Sequence, residues 1–249
     1  MKMSKIIIML LLAAMMALSF CACDTYYNIN VRTTEEDTTE PPSTKPAYET
    51  GVYTTVAKEE TFEYTDRAGN VYKTTYLIPR INLVGADADM INKEITEKYY
   101  KDFVAAENEQ ANRSSLTCDS LGYERFINGN VLSVVIKRVY YSHSVDYTVY
   151  SFNTSTCTLL DSKGVVTAIG KSYPEVKEKI RAELEKDYVN KYNTANPPQN
   201  YKENYEKTLS DDNMEKAKIY INEKGKITAV CKEYASVGNG EFAVVITLD

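Results

Sequence analysis

The residues best equipped for chemistry lie in RVYYSHSVDYTVYSFN, residues 138–153. This stretch holds the chain's one histidine, His143, with Tyr140, Tyr141, Tyr147 and Tyr150 around it. An imidazole titrates near neutrality and can serve as a general base if a nucleophile or acid partner stands close. Asp146 is the nearest acid. On strict strand alternation His143 and Asp146 point to opposite faces, whereas in a loop they could meet. The bland reading, a rim histidine without catalytic duty, is favoured because no second catalytic motif accompanies it. The chain has no GxSxG, no HExxH and no phosphate-cradling glycine loop. With one histidine, a histidine-based metal site is not expected. Asp87 with Asp89, and Asp211 with Asp212, could meet calcium, but neither pair has the spacing of a calcium loop. Helix capping explains the first pair and a solvated turn the second. No catalytic residue, metal or cofactor is therefore assigned. Tyr141, His143, Asp146, Tyr147 and Tyr150 are the candidate ligand-contacting residues, since tyrosine offers a large face with a polar tip.

The elements around this stretch read as strands. YERFI and VLSVVIKRVYY flank Asn128-Gly129-Asn130, and Asn-Gly favours a tight hairpin turn. VDYTVYSF follows. CTLL and VV flank Asp161-Ser162-Lys163-Gly164, KIYIN and KITAVCKEY flank a Gly225 turn, and EFAVVITL closes the chain. Earlier, TFEYT and VYKTTYLI flank DRAGN. Two segments have helical period. From Asp87, Ile91, Ile95, Tyr99 and Phe103 form a stripe, with Asp87 or Asp89 as N-cap. From Ser172, Val176, Ile180, Leu184 and Tyr188 form another, with Ser172 and Glu175 in capping-box register and Pro174 in the first turn. A shorter helix is expected near Tyr201–Leu209. The order predicts an α+β fold: a largely antiparallel sheet with two main helices packed on it.

The N-terminus supplies an address. Lys2 and Lys5 precede an uncharged run, Ile6 to Phe20, shorter than the roughly 20 residues of a spanning helix. CACDT follows. The pattern resembles a bacterial lipoprotein signal over residues 1–23, with Cys23 as the lipidated residue because Ala22 is small. Cys21 is the alternative. A diacylglyceryl cysteine carries two acyl chains, and two chains anchor a protein stably where one does not. Residues 24–54, rich in Thr, Glu and Pro, read as a disordered tether. Removing residues 1–23 takes Lys2 and Lys5 and no acid from 29 basic and 35 acidic residues, leaving 27 against 35, net −8. That balance argues against nucleic acid and suits a cationic partner. Of five cysteines, Cys118, Cys157 and Cys231 remain after processing. Cys231 shares strand parity with Ile227 and Ala229 and is expected inside. A Cys118–Cys157 bridge stays open.

IPRINLVGADADMINKEI (78–95), NGNVLSVVIKRVYY (128–141), YSFNTSTCTLLDSKGV (150–165) and KIYINEKGKI (218–227) together resemble a pair of bacterial extracytoplasmic domains. These are the PdaC-like, deacetylase-associated domain and the RsiV-type C-terminal domain. The resemblance implies a PdaC-like α+β domain over 55–145 and an RsiV-type α+β domain over 146–249, or one continuous unit. It also implies a cell-surface, non-catalytic role. The family loop usually reads Gly-Gly-Ala-His, but here Tyr141-Ser142-His143-Ser144 lacks the glycines, so a different backbone path is expected for this loop. The expected function is a lipid-anchored binding or sensing module on the extracytoplasmic membrane face. It would contact cell-wall peptidoglycan or a cationic protein such as lysozyme, with no nucleic acid. The alternatives are an envelope glycan hydrolase using carboxylates and a structural lipoprotein without a specific ligand.

Overall fold

Six strands build the first sheet, in the order β1-β2-β3-β4-β5-β6: Thr54–Thr65, Val71–Ile81, Ser120–Asn128, Val131–Val139, Val145–Asn153 and Thr158–Leu160. Neighbours run antiparallel except β2 and β3, which meet in parallel at Tyr76 and Leu121. A second, antiparallel sheet has the order β7-β8-β9: Lys218–Ile221, Ile227–Tyr234 and Glu241–Thr247. Five helices complete the described residues: α1 (Ala86–Asn112), α2 (Ser162–Ala168), α3 (Tyr173–Tyr192), α4 (Tyr201–Thr208) and α5 (Asp211–Lys216). The fold is α+β, as the order of elements predicts. This computed structural model describes residues 50–65, 69–112, 120–140, 144–237 and 240–249. Cys23, Cys118, Tyr141, His143 and almost all of the tether lie outside them.

Both helical stripes are buried. Ile91, Ile95, Tyr99 and Phe103 of α1 pack with Tyr76, Leu121, Leu132, Ile136 and Phe152 on one face of the first sheet. Val176, Ile180, Leu184 and Tyr188 of α3 are buried on the second sheet's side. The first three join Val165, Val166, Ile219, Ala229 and Cys231, together with Val131 from the far face of β4. The first sheet is thus covered on one face by α1 and partly on the other by the second core. The break expected between residues 145 and 146 falls inside β5, which pairs with β4 along its whole length. All described residues lie in the compact unit Asp37–Asp249.

Several local expectations are corrected. Val165 and Val166 are not strand residues but sit in α2, buried in the second core. Asp161 caps that helix by accepting the Gly164 N–H, and tertiary burial overrides the β preference of valine. Asp87 lies inside the first turn of α1, and its carboxylate accepts the Leu159 N–H at 2.8 Å, tying β6 to the helix. Ser172 holds the N-cap position of α3 without a side-chain cap bond. Asp211 and Asp212 open α5 instead of forming a turn.

Two polar residues replace missing strand partners. Asn92 of α1 accepts from the Ile81 N–H at 2.7 Å and donates to the Ile81 carbonyl at 2.8 Å, closing the end of β2. The second case is larger. β7 pairs with β8 only as far as Val230. Beyond it, Asn213 donates to the Lys232 carbonyl, Thr208 accepts the Tyr234 N–H, and Asn204 donates to the Ala235 carbonyl, at 2.7, 3.0 and 2.7 Å. Side chains of α4 and α5 therefore occupy the strand edge that β7 vacates, leaving these backbone groups satisfied.

Candidate functional site

The β4–β5 register separates the sequence-selected residues by face. Asp146 stands opposite Arg138, and Tyr150 opposite Val134, on the α1 face. Tyr147 stands opposite Lys137 on the other face. Tyr141 and His143 lie outside the described residues, so only three of the five can be placed.

On the α1 face the polar groups are engaged with one another. The Tyr150 hydroxyl donates to Glu94 Oε1 at 2.9 Å, and burial with this carboxylate drives its pKa well above the tyrosine range. Lys98 and the Tyr99 hydroxyl converge on Thr148 Oγ1 at 2.8 and 2.6 Å. The Arg138 guanidinium lies 5.0 Å from the Tyr99 ring centre and 5.6 Å from that of Tyr140, and donates to the Tyr140 hydroxyl at 2.8 Å. These contacts fasten α1 to β4 and β5, a structural use of residues that resemble a reactive cluster.

The Tyr147 face gathers a different set. Directly paired residues share a face, so Gly122, Lys137 and Tyr147 form one row and Glu124, Val135 and Val149 the next. Gly122 contributes no side chain to its row. Phe126, in the third row, stacks on Tyr220 of β7, with ring centres 5.9 Å apart and planes 15° apart. The Ile221 N–H donates to Ser133 Oγ at 3.3 Å and holds β7 onto this face. Burial raises the pKa of the Glu124 carboxyl; Lys137 opposes the shift and Glu223 adds to it. Burial, then Glu124, raises Tyr147. Tyr220 is raised by burial and by both of these neighbours. The half-buried rings of Tyr147 and Phe126, the Lys137 ammonium and the exposed Glu124 carboxyl thus meet above the buried Tyr220. Tyrosine and phenylalanine faces stack against sugar rings or cationic groups, and the carboxyl accepts from hydroxyl or ammonium donors.

A third cluster escaped the sequence reading. Glu233 of β8 is fully buried, and its Oε2 accepts from Lys191 of α3 at 3.1 Å. Four tyrosines, Tyr188, Tyr192, Tyr201 and Tyr205, have ring centres 4.7–6.0 Å apart at this corner. The signal was present: Glu233 extends the parity of Ile227, Ala229 and Cys231, which points inward. Cys231 itself is buried, as its parity predicts, and burial pushes its thiol up to about 12, which keeps it protonated at neutral pH. Among the described residues, no three His, Cys, Asp or Glu side chains are grouped as metal ligands. No described helix is long and apolar enough to cross a membrane.

No protein-family model matches the chain, and no curated protein matches it. Among solved structures it is similar to a DUF3298-family member from Bacteroides fragilis, at 14% identity and a TM-score of 0.32. The likeness covers 78% of this chain and 90% of that one. At that score it supports neither a structural nor a functional inference.

Proposed function

We propose that this protein is a lipid-anchored, non-catalytic binding or sensing module on the extracytoplasmic face of the membrane. Its ligand is cell-wall glycan or a cationic protein partner. The observation that carries the binding reading is the patch on one face of the first sheet where Tyr147, Phe126 and Lys137 are half-buried and Glu124 is exposed, backed by the buried Tyr220 ring of β7. The address rests on the apolar run, Cys23 and the Thr/Glu/Pro-rich segment after it. Resemblance to the PdaC-like and RsiV-type domains supports the same reading.

Two experiments test it. In a bacterial host that processes lipoproteins, the full chain is expected to incorporate labelled palmitate and to fractionate with membranes. Cys23→Ser is expected to abolish the label and Cys21→Ser to retain it; labelling unchanged in Cys23→Ser removes Cys23 as the anchor. Purified protein is then offered insoluble peptidoglycan and, separately, immobilised lysozyme. Retention in one arm supports binding, and retention in neither sinks it.

A second reading, glycan hydrolysis by carboxylates, draws on Glu124, whose carboxyl holds its proton more tightly than an ordinary glutamate and which senses Glu223. Release of soluble fragments from peptidoglycan, lost in Glu124→Gln, would favour that reading over binding alone.

A further inference from the structure

Glu233 is a carboxylate in an unfavourable place. It projects from β8 into the interior with no solvent exposure. Its Oε2 meets Lys191 Nζ at 3.1 Å, and the Tyr192 hydroxyl also hydrogen-bonds the carboxylate. Lys191 is shared, since its ammonium also lies 2.5 Å from Asp187 Oδ2. The side chains of Asp187 and Lys191 are each about a third exposed, at 35% and 37%, against 0% for Glu233. From α3, Asp187, Tyr188, Lys191 and Tyr192 face Glu233. From α4, Tyr201 and Tyr205 reach it through their ring contacts with Tyr188. From β9, Phe242 pairs with Glu233, and its ring centre lies 5.4 Å from the Lys191 ammonium. No titratable group of α5 or β7 figures in the field at Glu233. The Tyr188 hydroxyl hydrogen-bonds Ser236, just after β8.

We infer that Glu233 is a proton-operated latch between β8 and the C-terminal turns of α3. In the closed form the ionised carboxylate draws Lys191 inward, away from solvent. Protonation cancels the charge that holds Lys191 and leaves Asp187, on the solvent side, as its sole anionic partner. The ammonium then moves outward, and the tyrosine corner around Tyr188 and Tyr192 repacks. The device opens without unfolding because the buried neutral acid suits its surroundings better than the ion does.

The sign of the pH effect follows. Burial, outweighing Lys191, raises the pKa of Glu233 in the folded protein. The folded state therefore binds this proton more tightly than the unfolded chain. Its contribution to stability is complete below the unfolded glutamate value, about 4.3, and is lost as pH rises through the folded value. Mild acid opens the latch and stabilises the fold together.

The test uses the full chain in detergent, followed by tyrosine circular dichroism and thermal melting between pH 7 and pH 4. The wild type is expected to show a tyrosine transition above the ordinary glutamate range. Glu233→Gln is expected to lack it and to melt no lower than wild type at pH 7, with the Tm difference between the two shrinking as pH falls. Asp187→Asn is expected to keep the transition. A transition that survives in Glu233→Gln, or disappears in Asp187→Asn, overturns the latch. If Glu233→Gln fails to fold, carboxyl-carbon NMR of the wild type decides. Titration of Glu233 above the ordinary range supports the latch, and titration at or below that range overturns it.

Discussion

Tyr188→Ala is expected to destabilise the protein by about 3–5 kcal/mol, the cost of removing a large buried aromatic side chain. The ring is fully buried and touches Tyr192, Tyr201 and Tyr205, with centres 4.7, 5.7 and 5.8 Å away. Its hydroxyl bonds Ser236, so the alanine variant loses both the packing of α3 on α4 and a link to the end of β8. Tyr188→Phe separates the two contributions. It keeps the ring and removes the hydroxyl, and is expected to cost about 1 kcal/mol. For a domain of this size, roughly 2–4 °C of Tm accompanies each kcal/mol, so thermal melting resolves the two variants. Equal losses in both would show that the hydroxyl, and not the ring packing, dominates.

Asn213→Ala is expected to cost about 2–4 kcal/mol. The Asn213 amide is buried and donates to two carbonyls, of Thr208 at 2.5 Å and Lys232 at 2.7 Å. Alanine leaves both carbonyls short of a donor at the edge that β7 does not reach, and the helices that replace the missing strand lose their central bond. Asn213→Asp is a sharper test. A carboxylate cannot donate and places negative charge against two carbonyl oxygens. The aspartate variant is therefore expected to be at least as destabilised at pH 7 and to recover part of the loss in acid, where the protonated carboxyl can donate once. Denaturant melts at pH 7 and pH 4 measure this. A loss below about 0.5 kcal/mol for Asn213→Ala would contradict the surrogate-strand role.

Periodicity carried the parts of the fold that depend on one element at a time. Ile91, Ile95, Tyr99 and Phe103 recur every four residues and are buried, as are Val176, Ile180, Leu184 and Tyr188. Strand parity placed Cys231 inside. Tyr147 and Tyr150, three residues apart on β5, lie on opposite faces of the sheet, as strand alternation requires. What depends on long-range pairing was not readable. Phe126 and Tyr220 come from β3 and β7, and nothing local to either announces that they stack beside Tyr147. Val165-Val166 looked like a strand because valine favours strands, and only the second core makes it a helix. Glu233 was the informative omission. The parity that buries Cys231 buries Glu233 as well, but a glutamate in KEY at the end of a strand reads as a solvated edge unless that parity is carried two residues further.

The neighbours Asp146 and Tyr147 give the most direct test of the binding surface, because adjacent strand residues point to opposite faces. Asp146 lies on the α1 face opposite Arg138, and Tyr147 lies on the face with Phe126, Tyr220 and Glu124. The measurement is retention of the wild type, Tyr147→Ala and Asp146→Asn on peptidoglycan and on immobilised lysozyme, with folding checked by circular dichroism. In whichever arm retains the wild type, Tyr147→Ala is expected to weaken binding about tenfold or more, as loss of a central aromatic contact does, and Asp146→Asn to leave it unchanged. Loss of binding in Asp146→Asn with full retention in Tyr147→Ala would contradict the proposed surface.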